Sequence, residues 1–203
     1  MTATRRTALL ALTAVLAAPT LARADVDPQQ VVKELTDRAV AYLDGLSAVK
    51  GAFQQSNQRG DTANGMFYLA RPGRARFQYE PPSNLLITSD GKTVIVSDSR
   101  LKSFQKFPLG STPLALFLAD HIRLDRGAHV TKVTRSLTGF SITARDDHAI
   151  SQGDITLYFN EAPLRLTGWA VVDGQGRKTQ VTLGPLSPFS ASDPGFFTQQ
   201  PPG

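Results

Sequence analysis

The side chains that most often do chemistry are few here and scattered. The chain of 203 residues has three histidines, His121, His129 and His148, and no cysteine. No two of these histidines are spaced as a metal pair on one helix or strand, and thiolate ligands are absent, so the ligand patterns of structural or catalytic zinc are not met. Asp146-Asp147-His148 falls in a polar turn after a strand-like run. A serine can be added to it on paper, but no Gly-x-Ser-x-Gly elbow is present. Asp173-Gly174-Gln175-Gly176 lies between strand-like runs and opens no helix, so it is not a phosphate loop. Nothing favours a pair of catalytic carboxylates. With no site constellation, the sequence reads as a binding protein without a cofactor rather than as an enzyme.

One cation does stand out. In the run from Gly65 to Arg71, alternation puts Phe67, Leu69 and Arg71 on one face. A guanidinium facing an apolar interior must find acceptors. The other reading is a surface arginine at a strand end before Pro72, and alternation alone does not choose between them.

The elements that must position these residues follow from periodicity. At the N-terminus, Arg5 and Arg6 precede an apolar run from Ala8 to Ala18, and Ala22-Arg23-Ala24 has small residues at the cleavage positions. Residues 1–24 therefore read as a cleaved secretory signal, the apolar run being shorter than the ~20 residues that span a bilayer. That leaves 25–203 as a single domain, with periplasmic localisation. Cleavage removes Arg5, Arg6 and Arg23 and no acid, so the formal charge falls from +5 to +2. No basic patch for nucleic acid remains. An exported chain without cysteine is held by its core alone.

Asp27-Pro28 opens an amphipathic helix expected to run from Pro28 to about Leu46, with Asp27 as cap, Gln30 at the capping-box position and Val32, Leu35, Ala39, Tyr42, Leu43 and Leu46 at helical spacing. From Val49 the period changes to two. In Arg74 to Glu80, Ala75, Phe77 and Tyr79 face one way and the charged residues the other, which marks a half-buried antiparallel strand. Runs at 84–89 and 93–97 flank the hairpin signal Asp90-Gly91. Further runs follow at 101–107, 130–135, 140–145 (with a turn at Gly139), 154–160, 164–172 and 178–183. Between them, Ser111-Thr112-Pro113 starts a short helix that is apolar on nearly every side through Leu114, Leu116, Phe117 and Leu118. The expected fold is mainly β with α: an incomplete antiparallel barrel of about ten to eleven strands, closed by the N-terminal helix and the short central helix. The tail from Ser187 carries Phe189, Phe196 and Phe197 and is expected to fold back on the body.

Several motifs, in order along nearly the whole mature chain, resemble one family. Gly51-Ala52-Phe53-Gln54-Gln55 resembles its G-x-F-x-Q strand. The stretch Gly65 to Tyr79, with Arg71-Pro72-Gly73 at its centre, is similar to G-x-F-x-x-x-R-P-G-x-x-R-(aromatic)-x-Y and is the most specific piece. Pro82 with Ser89-Asp90-Gly91-Lys92, then Ser111-Thr112-Pro113-Leu114, then Asp173 to Gly176 and Phe197 to Gly203 complete the set. The family is that of the outer-membrane lipoprotein carriers, LolA.

The resemblance implies an incomplete barrel whose hydrophobic cavity receives the acyl chains of triacylated lipoproteins. It implies an inner-membrane ABC exporter that hands over the lipoprotein cargo, an outer-membrane receptor that takes it, and a monomeric carrier. It also implies that Arg71 finds its acceptors in the lid at Pro113–Ala119 and latches it shut. The cavity candidates are Phe53, Phe67, Leu69, Phe77, Tyr79, Leu114, Leu116, Phe117 and Leu118, for each of which plain core packing is the rival reading. Ala75 stands where the family often has a larger apolar residue and Phe77 where tryptophan is common, departures that bear on cavity shape. The alternative function is a related periplasmic domain that senses lipid or lipoprotein signals.

Overall fold

The computed structural model describes residues 27–112, 114–122, 128–146 and 153–201, with the backbone alone at 114, 116, 128 and 146. The segment read as a signal, 1–24, lies outside the described residues, as does His148. The first element is a helix, α1 (Pro28–Asp44). Asp27 caps it by accepting a hydrogen bond from Gln29 N at 2.9 Å, and Pro28 occupies a first-turn position where no N–H is needed. Gly45 ends it two residues before the expected boundary, its N–H bonded to Ala41 O. Leu35, Ala39 and Leu43, four apart, are fully buried. Val32 is not part of that stripe. It is 39% exposed, and its neighbour Val31 packs on the core instead, because the buried stripe follows a spacing of four along this helix.

Strands follow in a meander: β1 (Ala48–Asn57), β2 (Thr62–Ala70), β3 (Arg74–Tyr79), β4 (Leu85–Asp90), β5 (Thr93–Asp98) and β6 (Ser103–Pro108). A 3-10 turn (Leu109–Ser111) and a second helix, α2 (Leu114–Leu118), come next. Then β7 (Ala128–Arg135), β8 (Gly139–Asp146), β9 (Asp154–Glu161), β10 (Leu164–Val172), β11 (Lys178–Leu183) and the two-residue β12 (Ser187–Pro188) complete the series. The strand-like runs read from the sequence thus become strands, with shifts at their ends. Leu101 belongs to the turn before β6 and is 66% exposed. Gly139 is not the turn itself but the first residue of β8, paired with Asn160, where a Cβ would collide with Phe159 O.

The sheet order is β6-β5-β4-β3-β2-β1-β11-β10-β9-β8-β7, antiparallel throughout, with β12 added beside β1. The first and last long strands, β1 and β11, pair in the middle (Phe53↔Leu183). The free edges are therefore β6 and β7, and the sheet stays open between them. The chain that joins these two edges contains α2. This topology brings the short helix to the mouth of the sheet.

Both helices pack on the face carrying Phe53, Phe67, Phe77 and Trp169. Helix α1 covers the β9–β10 side, where Tyr42 meets Phe159 edge to face at 6.1 Å and Arg38 Nη1 donates to Glu161 Oε1 at 2.7 Å. Arg135 reaches the same carboxylate at 3.1 Å, and the two guanidinium groups hold Glu161 below the usual carboxylate range. The tail takes the opposite face. Tyr68, Phe189 and Phe196 pack together, Arg76 donates to Phe196 O at 2.9 Å, and Arg74 lies over the buried Phe197. Gln199 Nε2 donates to Leu86 O, Thr88 Oγ1 and Ile95 O, and Ser97 Oγ donates to Gln199 Oε1. These contacts secure the described part of the tail.

In β10 the alternation breaks. A register shift between Leu166 and Gly168 turns Leu166 and Trp169, three apart, into the same core. Gly168 has φ +156°, and a Cβ there would collide with Val181 O. Gly168→Ala is therefore expected to destabilise the fold by about 1–3 kcal/mol, read from the urea midpoint. Burial also pushes the Tyr79 phenol up to about 12, its hydroxyl donating to Gln55 Oε1. The folded state holds this proton more tightly than the unfolded chain. The stability it gives is full below pH 10 and is lost as pH rises from about 10 towards 12. Tyr79→Phe should flatten that alkaline limb in pH-dependent denaturation curves; an unchanged limb would show the phenol plays no part.

Candidate functional site

The turn between β2 and β3 is Arg71-Pro72-Gly73. It is fixed from three sides. Arg71 N donates to Ser47 O at 2.8 Å, and the Arg71-Pro72 peptide bond is cis. Gly73 has φ +72° and presses on the β4–β5 hairpin, where a Cβ would lie 2.5 Å from Gly91 Cα. Only glycine fits both the angle and the gap. Ser89 Oγ donates to Gly73 O at 2.6 Å from the same hairpin.

This rigid turn meets the end of α2. Arg71 Nη2 donates to Phe117 O at 2.8 Å and Nη1 to Ala119 O at 3.4 Å, while Gly73 N donates to Leu118 O at 2.8 Å. Three consecutive carbonyls are thereby satisfied by one turn. The last carbonyls of a helix have no partner within the helix, so a donor set placed there meets a need that the short helix cannot meet itself. The guanidinium also lies 5.7 Å from the Phe117 ring centroid.

Arg71 is an inward cation: its side chain is 5% exposed. Desolvation lowers its pKa below the usual arginine value, and the negative charges of Asp44 and then Asp120 oppose that shift. Asp44, at the end of α1, lies 3.5 Å from Nη1 through Oδ1, and the same oxygen accepts a hydrogen bond from Ile122 N at 3.1 Å. Arg71 Nε is buried and has no hydrogen-bond partner among the described residues.

Behind the turn lies the apolar interior. Phe53, Phe67, Leu69, Phe77, Tyr79, Phe117 and Leu118 are all buried in one cluster together with Leu35 and Leu43 of α1. The side chains of Leu114 and Leu116, expected in the cavity, lie outside the described residues. Phe67 packs on Phe77 at 4.9 Å, and Phe53 meets Phe77 and Tyr79 edge to face at 5.7 and 5.0 Å. At the centre is Trp169, 5.6 Å from Phe117, 5.7 Å from Phe67 and 5.9 Å from Phe77. Sequence reasoning missed Trp169 because strict alternation from Leu164 and Leu166 puts it on the other face. The signal available was Gly168 just before it, since an isolated glycine in a strand marks a bulge. It also missed Asp44, an acid in the last helical position, where the helix dipole disfavours negative charge.

A groove of about 510 Å³ runs beside the turn between the β4–β5 hairpin and α2, lined by Gly73, Lys92, Leu109, Ala115 and Ala119 among others. Among the described residues, no three His, Asp or Glu side chains come together as a metal site. His121 and His129 are both at the surface. This arrangement encloses an apolar interior and ties α2 over it. The helix at the mouth is held by hydrogen bonds to its backbone, and its Phe117 fills space next to Trp169.

Comparison with known proteins gives a consistent relationship. The sequence profile of the family described as outer membrane lipoprotein carrier protein LolA matches residues 44–200. An outer-membrane lipoprotein carrier protein of Neisseria meningitidis serogroup B is 26% identical over 163 residues, covering 78% of this chain and 78% of that protein. One of Cupriavidus pinatubonensis is 28% identical over 98 residues, 42% of this chain; the match spans about half, 46%, of that relative's length. The crystal structure of an uncharacterized conserved protein from Thermus thermophilus overlaps 85% of this chain and 95% of its own, with a TM-score of 0.49 at 12% identity. With the family profile matched over most of its length, this chain belongs to the LolA family of outer membrane lipoprotein carrier proteins.

Proposed function

We propose that this protein is a periplasmic carrier that encloses the acyl chains of lipoproteins and moves them towards the outer membrane. The observation that carries the reading is the tie between Arg71-Pro72-Gly73 and three successive carbonyls, those of Phe117 and Leu118 in α2 and of Ala119 just beyond it, over an aromatic interior. The relatives' printed names, outer-membrane lipoprotein carrier protein, support the choice of cargo. Residues 1–24 act as the export signal in this reading, and 25–203 form the carrier domain. An inner-membrane ABC exporter supplies the cargo and an outer-membrane receptor accepts it.

The physics of the task favours such a device. Each methylene kept from water contributes roughly 0.8 kcal/mol, so one long acyl chain left in water costs on the order of 10 kcal/mol. A carrier must shield that surface and still let go. The described cavity candidates pack on one another, and in this reading Phe117 takes space that an acyl chain would need. Cargo must displace α2. The latch hydrogen bonds and the aromatic packing regained on closing offset part of the energy of the bound chain, which sets the affinity low enough for transfer.

Arg71→Leu removes the donors while keeping an apolar side chain in place. The expected outcome is a folded protein that still takes up a triacylated lipopeptide but transfers it to an acceptor about tenfold more slowly or not at all. Transfer at the wild-type rate would rule out the latch. Wild-type protein that binds no acylated peptide would rule out the carrier reading itself.

A further inference from the structure

We infer that Asp44 is the second arm of the lid clamp, a positioning residue that holds the far end of the lid while Arg71 holds its helix. The inference rests on the lid reading above and extends it to a residue on a different element. Asp44 is the last residue of α1. A carboxylate at a helix C-terminus is disfavoured by the helix dipole, and the last turn of α1 carries no basic side chain to offset it. Its placement is therefore not explained by the stability of its own helix.

Its contacts give the explanation. Asp44 Oδ1 accepts the hydrogen bond from Ile122 N at 3.1 Å, just beyond the stretch whose carbonyls Arg71 holds. The same oxygen lies 3.5 Å from Arg71 Nη1. The lid segment from Phe117 to Ile122 is thus gripped in both polarities, its carbonyls by a cation and its amide by an anion, and the two gripping groups face each other. Ile122 is itself buried in the core, so its amide is a fixed point where the lid rejoins the body. The Asp44 side chain is 32% exposed against 5% for Arg71. It is the arm that solvent can reach, and it is the direct carboxylate partner of a buried cation whose desolvation the charge of Asp120 opposes less strongly. Loss of Asp44 therefore acts twice: it frees the Ile122 amide and leaves Arg71 less compensated.

The two effects separate by substitution. Asp44→Asn keeps an oxygen to accept from Ile122 N but removes the charge facing Arg71; Asp44→Ala removes both. The test uses the full mature chain without lipid. Amide hydrogen exchange reads the Ile122 N–H, and the fluorescence of Trp169, the chain's single tryptophan, reads the packing of Phe117 on the interior. The expected result is exchange at Ile122 about tenfold faster or more in Asp44→Ala, with a smaller change in Asp44→Asn. Trp169 emission should shift towards that of a solvated ring in both, and exchange within α1 at Leu43 should be unchanged. Wild-type exchange at Ile122 in Asp44→Ala overturns the proposal. So does equal acceleration of Ile122 and Leu43 in both variants, which would mark a purely structural role. Should Asp44→Ala fail to fold, unshifted Trp169 emission in Asp44→Asn overturns it. Because no lipid is present, these results judge Asp44 separately from lipoprotein carriage, which stands or falls on whether wild-type protein binds an acylated peptide.

Discussion

A guanidinium buried beside an apolar interior imposes its needs on everything around it. Arg71 has five N–H donors on a side chain that is only 5% exposed, so acceptors must be brought to it in a fixed arrangement. The nearest supply is the end of a short helix, where carbonyls lack intrahelical partners. Each side completes the other: α2 has too few turns to hold itself, and the Arg71 guanidinium takes its carbonyl acceptors from the end of that helix. The glycine two residues on matters for the same reason, because its close approach to Gly91 fixes the turn from which both donors are aimed.

That arrangement divides the sheet's labour by face. The concave face carries the aromatic cluster of Phe53, Phe67, Phe77, Phe117 and Trp169 together with both helices. The opposite face of β2 to β5 is occupied by the tail, held through Phe196, Phe197 and Gln199. With the outer face covered, the first half of the sheet packs on both sides, as its buried Thr88 and Ser89 show. A firm sheet gives α2 a rigid support at the open edge between β6 and β7.

Holding α2 by hydrogen bonds as well as by apolar packing has a geometric consequence. Apolar contact is non-directional, whereas carbonyl-to-guanidinium bonds need a defined distance and angle. The position of α2 against the Arg71-Pro72-Gly73 turn is thereby defined in geometry.

The sequence by itself determined the elements. Period-two runs located the long strands, Asp27-Pro28 and the spacing of Leu35, Ala39 and Leu43 located α1, and Asp90-Gly91 located a hairpin, because these patterns reflect local backbone geometry and one-sided burial. It also set Arg71 on the face of Phe67 and Leu69, since side chains alternate along a strand. It did not determine what Arg71 touches, for its acceptors lie 46 and 48 residues away on an element that only the sheet's open edge brings back. Trp169 was hidden by a bulge that shifts the register at Gly168, and Asp44 by a partner 78 residues distant. Alternation and helical period are properties of neighbours in the chain. The clamp and the centre of the core are properties of strand order, and only the tertiary structure decides that order.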